Sequence, residues 1–249
     1  MIRTFKLFGL QVNEVKYLRH CIRILLLESL DDPDLTGYVD TLESSIIEFL
    51  MSDSTIDILS SQPIETEQSV KLGLNRLFDD YPNINEVHLA LSVNDNFSAS
   101  VDAAYVCDVR DRSKSNLIIA IDVPRGYPRM KEFQGWLSAE LADTLSHELQ
   151  HSCDTTEILD SEECIDGPEK WESVENIGRY YGCEAEVRGH VAGILGRARR
   201  TNEDPMDLLD TDMETIESKA LSKGFSSVEL RPILDDIYNK WLTRLETSL

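Results

Sequence analysis

The run His147-Glu148-Leu149-Gln150-His151 holds the residues of this chain best suited to chemistry. The two histidines are four residues apart. On a helix that spacing puts both imidazoles on one face, one turn apart, where they can reach a single tetrahedral zinc ion. Glu148 projects beside them. In the H-E-x-x-H arrangement this carboxylate is not a ligand; it takes a proton from a zinc-bound water and later delivers it to the leaving amine. The chemistry to which the spacing points is hydrolysis of a peptide bond. The bland alternative is a polar helix face that carries two histidines by coincidence.

A catalytic zinc site needs a third protein ligand and keeps its fourth position for water. The simplest continuation, H-x-x-G-x-x-H, is absent, because Asp154 and Glu157 stand where that pattern has its glycine and histidine. The segment Arg179–His190 offers Glu184, Glu186 and His190 instead. Gly182, Gly189, Gly193 and Gly196 fall on one helical stripe that would allow close packing, and Glu186 shares it. Glu184 lies on the adjacent stripe with Tyr181, Arg188 and Val191. Tyr180, Tyr181, Arg188 and His190 are candidates to donate a hydrogen bond to an oxyanion. Asp143 or Glu140 could orient a ligand imidazole. Cys153 and Cys183 flank the motif without a partner at finger spacing, and His20 and His88 read as structural.

The motif must sit on a helix, and the pattern provides one. From Lys131 onward, Trp136, Leu137, Leu141, Leu145 and Leu149 make an apolar stripe, while Glu140, Asp143, His147 and His151 make a separate polar one. Upstream, Asn116–Val123 is the clearest strand. Val87, Leu89, Leu91 and Val93 alternate with smaller or polar residues as a second strand, and Ala99–Cys107 is a third. Residues 12–80 read as helices: one through Val12, Val15, Leu18, Ile22 and Leu26, one from Asp34 to Met51, and one from Thr66 to Tyr81. An acidic insert runs from Asp154 to Glu172. A long helix follows over Val174–Arg200, then two more over Pro205–Lys223 and Ser227–Leu245. The expected class is α+β: N-terminal helices, a small mainly antiparallel sheet, then the active-site, glutamate and C-terminal helices. The expected regions are an N-terminal helical part (1–82), a metallopeptidase core (83–200) and a C-terminal helical pair packed on it (201–249).

The chain has 249 residues and a formal net charge of -22, which repels phosphate backbones and anionic lipid, so nucleic acid and membrane are excluded as expected partners. Its five cysteines are an odd number without a C-x-x-C pair, which argues against a disulfide framework. No signal peptide is visible, and the longest apolar run, Ile22–Leu27, is too short to span a bilayer. A cytoplasmic protein is expected.

His147-Glu148-Leu149-Gln150-His151, followed after an insert by Tyr180-Tyr181 and Glu184-Ala185-Glu186-Val187-Arg188, resembles the small gluzincin-type metallopeptidases, closest to compact, often phage-encoded members. The resemblance covers roughly Asn116 to Arg200. It implies a zincin-like helix–sheet–helix core in which a glutamate on the second helix completes the zinc site. The first glutamate of the stretch is usually the ligand, which maps to Glu184. Val187 stands where alanine is usual.

Zinc and a protein or peptide substrate are thus the expected cofactor and partner, and the N- or C-terminal helices are free to meet a protein partner. A phage-encoded chain would work in the host cytoplasm or the virion. Asn116–Val123 is expected to hold the substrate beside helix Lys131–His151, with the acidic insert as rim favouring basic peptides. The competing readings are a catalytically silent binding or structural protein, such as a phage particle component, and a metal-free helical interaction module.

Overall fold

A computed structural model describes residues 33–61, 68–71, 84, 86–95, 98–106, 115–130, 132–154, 158 and 171–248. The helix expected around Val12–Leu26 lies outside them, as does nearly all of the acidic insert. In chain order the elements are α1 (Pro33–Leu50), α2 (Asp53–Ser61), β1 (Gln68–Lys71), β2 (Glu86–Asn94), β3 (Ser100–Val106) and β4 (Asn116–Pro124). After a short 3-10 turn at Tyr127–Arg129 come α3 (Phe133–Cys153), α4 (Val174–Tyr181), α5 (Glu184–Thr201), α6 (Pro205–Ser222) and α7 (Ser227–Thr247). The class is α+β.

The four strands run in the order β1-β2-β4-β3. β2 and β4 are parallel, while β1 and β3 are antiparallel to their neighbours, so the sheet is mixed. β2 buries Val87, Leu89, Leu91 and Val93, and β4 buries Leu117, Ile119, Ile121 and Val123, as the alternation in both segments requires. Two expectations fail locally. Gln68–Lys71 is a strand inside the stretch expected to be helical, because pairing with β2 outweighs a helical spacing carried by only four apolar residues. The expected long helix breaks at Gly182-Cys183. Ser173 caps α4 by accepting from the Asn176 amide, and Cys183 opens α5 as a separate helix.

Two apolar clusters fill the molecule. The first joins α1, α2, the sheet and the Leu137, Leu141, Leu145 and Leu149 face of α3. The second joins α4 to α7 around Ile177, Val191, Ile194, Leu209, Ile237 and Trp241. The polar face of α3 meets α5 at the seam between them. At the far end of α5, Arg199 and Arg200 donate to Asp40 of α1, which ties the N-terminal part to the same helix. No described helix is long and apolar enough to cross a membrane.

Candidate metal centre

The seam is close because α5 carries no side chains where α3 approaches it. A Cβ added to Gly189 would lie 2.9 Å from Nε2 of His147, one on Gly193 would lie 2.3 Å from Oδ1 of Asp143, and one on Gly196 would lie 2.5 Å from the carbonyl oxygen of Ala142. Those contacts are impossible for real side chains, so three glycines set the distance between the helices. Gly182, the fourth of the expected stripe, meets Gly178 and Lys240 instead.

Glu186 lies three residues before Gly189 and therefore faces α3. Its Oε2 is 3.6 Å from His147 Nε2 and its Oε1 is 3.7 Å from His151 Nε2. The two Nε2 atoms are 3.0 Å apart. Donors around a tetrahedral zinc at about 2.0–2.1 Å would stand roughly 3.3–3.4 Å from one another, and the three observed separations bracket that spacing. His147, His151 and Glu186 thus form a group that could hold a metal ion. Glu184, the residue to which the family resemblance pointed, is exposed at the start of α5 and outside the group. Two residues along a helix is about 200° of rotation, so Glu184 and Glu186 cannot share a face.

His151 faces a carboxylate that spacing alone does not single out. The Asp154 side chain is fully buried, and its Oδ2 lies 3.5 Å from His151 Nδ1. Its Oδ1 accepts from Gln150 and lies 2.6 Å from Nε of Arg188. Asp154 closes α3 and Arg188 lies on α5, so the pair also pins the two helices together. This assigns Arg188 to Asp154 rather than to an oxyanion. Asp143 and Glu140, expected to orient an imidazole, are instead within 3.8 Å and 3.9 Å of Arg197.

Glu148 is poised differently from His147, His151 and Glu186. Its Oε2 accepts the backbone N–H of Tyr105 on β3 at 2.7 Å, and its Oε1 faces His147 at 3.9 Å. Burial pushes the Glu148 carboxyl up to about 7, against the opposing pull of His151 and the Tyr105 amide. Burial holds His147 well below the ordinary histidine range, aided by His190 and His151. His151 is also opposed by burial, but Asp154, Glu148 and Glu186 outweigh it and raise the imidazole. Burial raises Glu186, whose carboxylate also takes a hydrogen bond from the Tyr180 hydroxyl.

The Tyr105–Glu148 bond also corrects the expected substrate strand. β4 lies between β2 and β3, so Asn116–Val123 has no free edge. The edge next to α3 belongs to β3. Since the Tyr105 amide turns away from β4, the two-residue period turns the backbone of Ala103 and Val101 the same way. That edge, with Glu148, His147, Tyr180, Tyr181 and His190, lines a cleft of about 540 Å³. Asp143 and Asp212 also line it, raised by burial to about 7 and about 6.

Cys183 is disulfide-bonded, so the odd cysteine count does not exclude a disulfide. His88 stands 3.1 Å from Glu86, away from the seam. Fold and site together define an α+β protein with a two-histidine, one-glutamate group on a pair of glycine-spaced helices. No known protein family matches the chain, and no curated protein or solved structure is significantly similar to it.

Proposed function

We propose that this protein is a zinc-dependent peptidase of the gluzincin type, with His147, His151 and Glu186 as ligands and Glu148 as general base. One observation carries the reading. Three donors converge on a single point while the neighbouring carboxylate is held off it by the backbone of an edge strand. A metal-free ion-pair cluster has no need of that division of labour, and the resemblance of the sequence supports the same assignment. Two imidazoles and a carboxylate are a donor set suited to zinc. Zinc, when bound, supplies a positive charge that polarises the scissile carbonyl and makes water more acidic.

The remaining work falls to the chain's own residues. Glu148, anchored through Oε2, keeps Oε1 directed at the histidines and able to accept a proton from water. With the Tyr105 amide taken by Glu148, the Val101–Ala103 edge can pair with an extended peptide by backbone hydrogen bonds. Tyr180 and Tyr181 line the same cleft.

Metal analysis and turnover test this together. One zinc per chain is expected in the wild type and none in His147→Ala or His151→Ala after dialysis against a chelator. Glu148→Gln keeps its zinc and loses turnover by a factor of about a hundred or more. Zinc retained by both histidine variants would sink the ligand assignment. A zinc-loaded wild type that cleaves nothing in a broad peptide library would replace the enzyme with a silent binding protein.

A further inference from the structure

The peptidase reading leaves His190 without a stated task. It sits on α5 one turn after Glu186, and its Nε2 lies 3.6 Å from Glu186 Oε2. Both atoms are buried, and neither makes a hydrogen bond among the described residues. Buried polar atoms without partners are uncommon and costly. Here a nitrogen able to donate and an oxygen able only to accept face each other, a few tenths of an ångström too far apart. His190 is not a fourth ligand, because it stands outside the group formed by His147, His151 and Glu186.

The ring is held on three sides. It stacks on Trp241 with centroids 4.4 Å apart and planes at 19°. It meets the ring of His147 edge-on at 4.5 Å and lies tilted against Tyr181 at 5.2 Å. Trp241, on α7, is fully buried, and its Nε1 donates to the Tyr181 carbonyl at 2.9 Å. The C-terminal helix thus reaches the metal centre through one indole and one imidazole.

We propose that His190 is a positioning residue for Glu186: its Nε2–H donates to Oε2, so that the carboxylate presents one fixed edge to the two ligand imidazoles, with Trp241 as the backing that aims it. The inference rests on the metal-centre reading. Outer partners of this kind change metal affinity by about 10- to 100-fold.

Two variants of the full chain separate positioning from space-filling. His190→Phe keeps an aromatic ring on Trp241 but removes the N–H. His190→Gln loses the ring but keeps an N–H donor. Positioning requires zinc affinity, measured by competition with a chromophoric chelator, to fall about 10- to 100-fold in His190→Phe and to recover at least partly in His190→Gln. The visible spectrum of the cobalt(II)-loaded protein should shift in His190→Phe. Space-filling requires the reverse order. A measurement on the unaltered protein removes any dependence on variant folding: imidazole ¹⁵N shifts of the zinc-loaded wild type should show His190 as the Nε2–H tautomer. The Nδ1–H tautomer, or wild-type zinc affinity in His190→Phe, would overturn this proposal alone. A wild type that binds no zinc would overturn the metal centre with it.

Discussion

Glu184 and Glu186 differ by two positions, and the helix turns that into opposite roles. Glu186 shares a face with the glycines that admit α3, while Glu184 points to solvent. Glu186→Gln should therefore lose bound zinc to a chelator, and Glu184→Gln should keep it, as read by metal content after dialysis. Asp143 makes a second prediction at this scale. Burial, reinforced by Asp212, raises its carboxyl from 3.8 to about 7 in the folded state. Below about pH 4 both folded and unfolded chains hold the proton, so nothing is lost. Between about 4 and 7 the unfolded chain releases a proton that the fold retains, so stability falls as pH rises; above that range the deficit is constant. Asp143→Asn removes this slope. Its stability relative to wild type should improve from pH 4 to pH 8, by on the order of 4 kcal/mol, in denaturant titrations at the two pH values. An unchanged difference across that range would show that Asp143 titrates normally.

At the scale of elements, the α3–α5 seam is the device that makes the site. The glycine stripe was legible as a packing surface before the partner helix was known, since four small residues at helical spacing invite a close neighbour. Which helix would fill it was not legible. Gly196→Ala tests the device without touching a ligand. Its new Cβ would sit 2.3 Å from Ser146 Oγ and 2.5 Å from the Ala142 carbonyl, and backbone cannot retreat locally. The helices must spread, at a cost of about 1–3 kcal/mol, and Glu186 must draw back from the histidines. Both the melting temperature and zinc affinity should fall. A variant with lowered stability and unchanged zinc affinity would show that the seam supports the fold only. The strand β3 carries the other lesson of this scale. Asn116–Val123 looked like the substrate strand because it is the most apolar, but the most apolar strand is the one buried between neighbours, and a peptide needs an edge.

Across the whole molecule, the net charge of -22 acts on any charged molecule that approaches the cleft. Matched basic and acidic peptides should be cleaved at different rates at low ionic strength, the basic one faster. The gap should close above about 0.15 M salt, where screening acts over about 8 Å. Equal kcat/KM values at low salt would mean that the field at the cleft is neutralised locally, with Arg197 and Lys219 as the nearest cations to Asp143 and Asp212. The molecule-wide arrangement also changes the standing of the C-terminal helices. The sequence leaves them free to meet a protein partner, yet Trp241 of α7 stacks on His190, whose ring meets that of His147. Residues so distant in the chain meet only because the second apolar cluster folds α4 to α7 into one body.

The sequence by itself determined what depends on local periodicity: the α3 helix, the β2 and β4 strands, the C-terminal helices, and the juxtaposition of His147, Glu148 and His151. A helix of fixed pitch places i and i+4 side chains together whatever surrounds it. Only the tertiary structure decided which glutamate joins them, which strand offers an edge, and that Asp154, not Asp143 or Glu140, lies against His151. Each of those depends on the rotation of one element about its axis relative to another, and that rotation is set by contacts between residues far apart in the chain, such as Gly193 on Asp143 and Arg188 on Asp154.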